Sequence, residues 1–367
     1  MDPRVNKLAK VMVHYSLKLK KGQTLKIAGE AVATPLITAV YEEAIKVGAH
    51  PYVQVRLPRN DEILLKHGSK EQLEYIPAHA KTEINKIDTY LGIFAASNTR
   101  YLAGVNPKQQ VIMRKAQGII MKTFFRRFAA GELKWCGTQF PTQADAQEAD
   151  MSLDDYEDFV YGAGHINAAD PVKHWQKVSK EQARLCKILD RVDQIHVRAE
   201  GTDLKLRVKG RKWINCAGTE NFPDGEIFTC PIENTAEGQI RYSFPAVYGG
   251  REVEDVRLWF NKGKVVKEQA GKNEQYLKAM LDMDKGSRFL GEFAIGTNYE
   301  IKRFSRNILF DEKIGGTCHL AVGASIPEAG GKNQSSLHWD MVCDLKKKGS
   351  EITADGKVIY RNGKFTI

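Results

Sequence analysis

An α/β N-terminal domain built on a parallel sheet, followed by a β-rich α+β domain, is the architecture this 367-residue sequence predicts. Three observations carry it. Strand-like and helix-like segments alternate through the first half, as in βαβ units. After about residue 190 the texture changes to period-two alternation broken by glycine-containing turns. No apolar run approaches the ~18 residues that a bilayer-spanning helix requires.

The elements of the first half follow in order. Residues 3–19 carry helical periodicity, with Asp2 placed to cap the helix and Pro3 at its first position. Leu25 to Gly29 reads as a strand. A helix opens at Thr34-Pro35 and stops before Gly48. Residues 51–57 form a second strand, 61–67 and 70–80 are helical, and 89–95 form a third strand. A long helix runs from about Pro107 to about Ala130, and Trp135 to Phe140 is a fourth strand. None of these strands is followed by a glycine-rich phosphate loop, which argues against nucleotide binding. Residues 150–192 are helical and polar, with Asp170-Pro171 suited to open a helix ending near Leu189. Residues 195–198 and 203–208 then alternate as strands. One helix near 271–284 interrupts the β-rich remainder. The domains are therefore drawn as 1–190 and 191–367.

Composition excludes several classes. Hydrophobic content of 42% and charged content of 27% are those of a globular protein. The N-terminus lacks the apolar core of a signal peptide, so a cytoplasmic protein is expected. Cys136, Cys186, Cys216, Cys230, Cys318 and Cys343 are scattered without a C-x-x-C pair, which fits neither a disulfide framework nor a zinc finger. The net charge of +10 is spread along the chain, with only short clusters at 18–21 and 346–348. No zinc finger or aromatic-basic repeat accompanies it, so neither a nucleic-acid nor a membrane partner is expected.

The chemistry-bearing residues lie in the second half. In Ser336-Leu337-His338-Trp339-Asp340-Met341 the alternation is that of a half-buried strand, which turns His338 and Asp340 to one face and Trp339 to the other. An imidazole and a carboxylate side by side suit a borderline divalent cation such as zinc. Glu226 follows a Pro-Asp-Gly turn. Glu292 sits in the otherwise apolar, glycine-flanked run Phe289–Asn298, and His319 in the similar run Gly315–Gly323. A carboxylate buried there is neutral, paired or bound to a cation. Singly, each reads as a satisfied polar group in a core. Together, two Glu, two His and one Asp are the ligand set of a pair of closely spaced divalent ions that activate a water and stabilise an oxyanion. Cys318 and Cys343 flank this set.

Four segments in order, NFPDGEIFTCP (221–231), RFLGEFAIGTN (288–298), NILFDEKIGGTCHLAVG (307–323) and LHWDMVCD (337–344), resemble those of the aminopeptidase T / aminopeptidase S family of dimetal exopeptidases. The resemblance extends over nearly the whole chain. It implies metal ligands at Glu226, Glu292, His319, His338 and Asp340, with Asp340 or Glu292 bridging and Glu292 also able to serve as general base. It further implies two divalent ions per chain, zinc first, with cobalt, manganese or magnesium as alternatives. The implied reaction is release of N-terminal residues from short peptides with a free amine, in a homodimer with its sites facing an enclosed cavity. Asp344, on the face of Asp340, reads as a supporting or exposed residue.

One position departs from the family pattern. A tyrosine is expected seven residues after His319, before a proline, and here Ile326 precedes Pro327. The tyrosine hydroxyl is expected to assist the transition state. Either Lys332 in Gly330-Gly331-Lys332-Asn333 substitutes, or the substrate differs, or catalysis is weak. The alternatives are a dimetal amidase or narrow-specificity peptide hydrolase, a catalytically weak homologue, and a basic metal-stabilised binding protein.

Overall fold

The computed structural model describes residues 2–367. By its internal contacts the chain divides into two units, Met1–Val172 with Gly218–Pro223, and Lys173–Ala217 with Asp224–Ile367.

In the first unit, strands β1 (Thr24–Glu30), β2 (His50–Arg56), β3 (Thr89–Phe94) and β4 (Lys134–Gln139) form an all-parallel sheet in the order β2-β1-β3-β4. Helices Thr34–Val47 and Pro107–Ala129 supply two of the crossovers, as βαβ units require. The first helix ends in a left-handed Gly48, whose N–H returns to the carbonyls of Ala44 and Ile45. The N-terminal helix is shorter than its periodicity suggests. The α-helix covers Pro3–Val11, capped by the Asp2 carboxylate on Arg4 N–H, and continues as a π-turn over Met12–Ser16.

The second unit contains β5 (Gln194–Ala199), β6 (Thr202–Arg207) and β7 (Ile214–Cys216). The two residues of β8 (Asn221–Phe222) belong to the first unit, where they extend its sheet beside β4. The second unit resumes with β9 (Glu226–Thr229), β10 (Glu237–Arg241), β11 (Ala246–Tyr248), β12 (Arg251–Val253), β13 (Arg257–Asn261) and β14 (Lys264–Gln269). It ends with β15 (Leu290–Gly296), β16 (Thr317–Gly323), β17 (His338–Asp344), β18 (Glu351–Ala354), β19 (Lys357–Arg361) and β20 (Lys364–Phe365). An eight-stranded sheet, β14-β13-β10-β6-β5-β18-β19-β20, and a five-stranded antiparallel sheet, β17-β16-β15-β9-β7, share one hydrophobic core. Helix Pro171–Leu189 begins before residue 190 but packs with this unit, because Leu185, Cys186 and Leu189 enter its core. Among the described residues, no helix is long and apolar enough to cross a membrane.

The five-stranded sheet sorts its residues by parity. Ile227, Phe293, Ile295, Cys318, Leu320, Val322, Trp339, Met341 and Cys343 face the core. Phe293 meets Trp213 edge-on at 6.0 Å, and Trp339 packs between Tyr248 and Tyr276 at 5.5 and 6.2 Å. Leu290 also faces this core, although it lies an odd number of residues from Phe293. A β-bulge resolves the mismatch: Leu290 pairs with Val322 and Glu292 with Ala321, leaving Gly291 as the extra residue. The bulge sends Leu290 and Phe293 to the core and Glu292 to the opposite face. A Cβ at Gly291 would stand 2.1 Å from the Ala324 carbonyl oxygen. Gly291→Ala is therefore expected to destabilise the fold by about 1–3 kcal/mol, read as a shift of the denaturation midpoint. An unchanged midpoint would mean that the bulge can relax without its glycine.

Candidate metal centre

The face of the sheet opposite the core carries Glu226 on β9, Glu292 on β15, His319 on β16, and His338 and Asp340 on β17. Their cross-strand neighbours are mostly small. Gly296 lies opposite Glu226, Ala294 opposite His319, Ala321 between Glu292 and Asp340, and Gly323 opposite His338. These alanines and glycines leave space above the sheet that the long polar side chains fill. Ala321 and Gly323 are themselves fixed by alternation, since they lie between core-facing Leu320 and Val322 and beyond them on the strand.

The five residues converge. His319 Nε2 lies 3.5 Å from Glu226 Oε2 and 3.5 Å from Glu292 Oε1. His338 Nε2 lies 3.5 Å from Glu292 Oε2 and 3.5 Å from Asp340 Oδ2. Each ring is oriented by a backbone carbonyl. His319 Nδ1 donates to the Glu312 oxygen at 2.9 Å, and His338 Nδ1 donates to the Ala324 oxygen at 2.8 Å. A carbonyl oxygen only accepts, so each Nδ1 bears the proton and each Nε2 faces the carboxylates, the arrangement that presents imidazole to a metal. The chain also places Glu226 through Gln182, a 2% exposed residue of helix Pro171–Leu189. Its amide donates to Asn215 Oδ1 at 2.7 Å and to the Cys216 and Glu226 carbonyls at 2.9 Å each, while its oxygen accepts from Thr297 Oγ1 at 2.7 Å.

Two groups on this face bring one ligand atom from each residue within 4.8 Å of the others: Glu292–His338–Asp340 and Glu312–His319–Asp340, which share Asp340. A third, Cys216–Asp224–Glu226, lies where β7 meets β9. Glu312 is the residue that the sequence reading passed over, together with its neighbour Lys313. Lys313 is fully buried, with its ammonium 3.6 Å from Glu226 Oε1 and in contact with Glu312 Oε1. Glu312-Lys313 precedes the glycine-flanked run that holds His319, and two adjacent charges there read locally as a solvated turn; only their burial shows that each needs a partner. Lys332, by contrast, is exposed, and its backbone N–H donates to Glu233 Oε1 outside both groups. Asp344 also stays apart, accepting from the Lys346 N–H.

Electrostatics follow from this burial. Desolvation pushes the Glu226 and Glu292 carboxyls up. Asp340 is held below the usual range, because His338 and His319 outweigh its own burial. Burial opposes charge on the imidazoles, but Glu292, Glu226 and Asp340 raise His319 to about 10, and Asp340 and Glu292 raise His338 to about 10. A cation entering here must therefore displace protons from both rings. The donor set fits a divalent metal. Glu226 Oε2 and Asp340 Oδ1 are buried without a hydrogen-bond partner, a costly state for carboxylate oxygens that a coordinated cation relieves. Imidazole nitrogen with carboxylate oxygen is the mixture that suits zinc and cobalt. The His338 side chain is 31% exposed and that of His319 1%, so the face is open on the His338 side.

A parallel α/β unit followed by a β-rich unit bearing this carboxylate–imidazole face defines a metal-dependent hydrolase. The chain belongs to the thermophilic metalloprotease family M29, whose model matches residues 1–365. Among curated relatives, aminopeptidase 2 of Geobacillus stearothermophilus is 27% identical over an alignment spanning 100% of this chain and 98% of that protein. Aminopeptidase AmpS of Bacillus subtilis is 26% identical, spanning 99% and 98%. The solved structure of wild-type AmpT from Thermus thermophilus superposes with a TM-score of 0.87 at 23% identity, covering 100% of this chain and 99% of that one, which establishes the shared two-part fold.

Proposed function

We propose that this chain, a metal-dependent aminopeptidase, cleaves the first peptide bond of short peptides with a free N-terminus, using a pair of divalent ions held by Glu226, Glu292, Glu312, His319, His338 and Asp340. Zinc or cobalt is the favoured occupant. The observation that carries this reading is the convergence of two imidazole Nε2 atoms, each oriented through Nδ1 by a backbone carbonyl, on carboxylates of the same sheet face.

When bound, the ions supply Lewis acidity, making water acidic at neutral pH and stabilising negative charge on the substrate carbonyl oxygen. The protein's own groups do the rest. Glu292, in reach of both imidazoles, takes a proton from the attacking water and returns it to the amine of the leaving peptide as the C–N bond breaks. His319 and His338 keep fixed tautomers through their carbonyl anchors, so the polar face is preorganised. Asp340, ionised at neutral pH and shared by both groups, holds the two halves of the cluster together. The excess of carboxylates gives the cationic substrate amine a partner, which accounts for selection of chain ends.

The test compares leucine p-nitroanilide with its N-acetyl derivative. The free-amine substrate is expected to be hydrolysed about 10⁴-fold more efficiently, because a site built around the amine penalises its loss. Comparable rates on the two substrates would replace this reading with an amidase of different specificity, the alternative that Ile326 in place of the family tyrosine favours.

A further inference from the structure

The two halves of the cluster differ in one respect that bears on how they fill. Lys313 is 0% exposed, and its ammonium lies 3.6 Å from Glu226 Oε1 and directly against Glu312 Oε1. Both carboxylates surround His319: Glu312 belongs to its group, and Glu226 is 3.5 Å from its Nε2. Among the described residues, no ion pair joins Lys313 to Glu292, His338 or Asp340. A buried ammonium is tolerated only when carboxylates compensate it, so Lys313 and this half of the cluster are mutually dependent. The chain leaves the ammonium little freedom. Its backbone N–H is fixed to the Phe310 carbonyl, and its own carbonyl accepts from the Asn298 N–H.

We propose that the Lys313 ammonium is a built-in cation of the His319 half of the cluster, so that the chain binds one divalent ion tightly at Glu292–His338–Asp340 and a second only weakly at Glu312–His319–Asp340. The inference rests on the metal-centre reading above and deepens it. Like charges a few ångströms apart in a water-poor site repel strongly. A second ion therefore has to detach the ammonium from Glu312 before it can use that carboxylate. The dinuclear state then forms only at high free metal, and activity follows metal concentration in a range set by one lysine.

The test is a titration of metal-free full-length protein with Co²⁺, following visible absorption and calorimetric heat, alongside the metal content retained after gel filtration. The wild type is expected to retain one ion per chain and to show two dissociation constants at least about 100-fold apart. Lys313→Met, which keeps an unbranched side chain of nearly the same length and removes the charge, is expected to retain two ions and to tighten the weaker constant by about 100-fold. Two wild-type constants within about threefold of each other would overturn the inference, as would an unchanged weaker constant in a folded Lys313→Met. The wild-type separation decides the matter by itself if the variant does not fold. A wild type that binds no ion at all would overturn the metal-centre reading as well, whereas two equal ions would overturn only the role of Lys313.

Discussion

Glu292→Gln is expected to lower kcat on leucine p-nitroanilide by about 10²–10⁴-fold, the usual worth of a positioned general base. The substitution preserves shape and removes one charge, so the fold should survive. Glu292 is 6% exposed and touches both imidazoles, one from each of its oxygens. An amide offers one oxygen and one NH₂ in their place, so it accepts no proton and turns a donor toward one ring. The loss should fall on kcat more than on KM, because the proton is transferred in the transition state. A kcat within threefold of wild type would remove Glu292 from the chemistry and leave it as a structural neighbour of the histidines.

Ile326→Tyr is expected to raise kcat by about 10²-fold, the order of magnitude that one transition-state hydrogen-bond donor contributes. Ile326 lies two residues beyond Ala324, whose carbonyl orients His338, and its backbone N–H and oxygen are both engaged by Cys230 Sγ at 3.3 and 3.4 Å. The segment is thus tied down next to the open side of the cluster, and a side chain there has a fixed origin. Lys332, the substitute donor considered from sequence, is exposed, and its backbone N–H is engaged by Glu233 Oε1. Supplying a tyrosine hydroxyl at this position should show as a gain in kcat with little change in metal content. An unchanged or lower kcat would indicate that the chain has rebuilt its transition-state contacts around isoleucine.

Much of this candidate site can be picked out in the sequence, and the reasons are physical. Glu292 and His319 stand out because ionisable groups in apolar, glycine-flanked runs need partners, and Glu226 because it follows a Pro-Asp-Gly turn. His338 and Asp340 stand out because strand parity turns them together while Trp339 goes to the core, as it does at 1% exposure. The parallel sheet followed from alternating periodicities, and β1 to β4 run as those alternations indicate. Other features had no local signal. The bulge at Gly291 inverts parity between Leu290 and Phe293, and only the pairing with β16 reveals it. Glu312 and Lys313 sit between the short helix Ile308–Asp311 and β16, in a stretch whose charges read as a solvated turn. Helix Pro171–Leu189 looks like the close of the first half, since amphipathicity shows that one face is buried but not which unit buries it.

The most direct measurement is hydrolysis of leucine p-nitroanilide by the purified protein before chelation, after chelation, and after zinc or cobalt is restored. Activity should vanish with the chelator and return with the metal, and Glu292→Gln should stay about 10²–10⁴-fold below the wild type even with metal restored. Hydrolysis that persists in protein shown to be free of metal would contradict a metal-dependent aminopeptidase centred on Glu226, Glu292, Glu312, His319, His338 and Asp340.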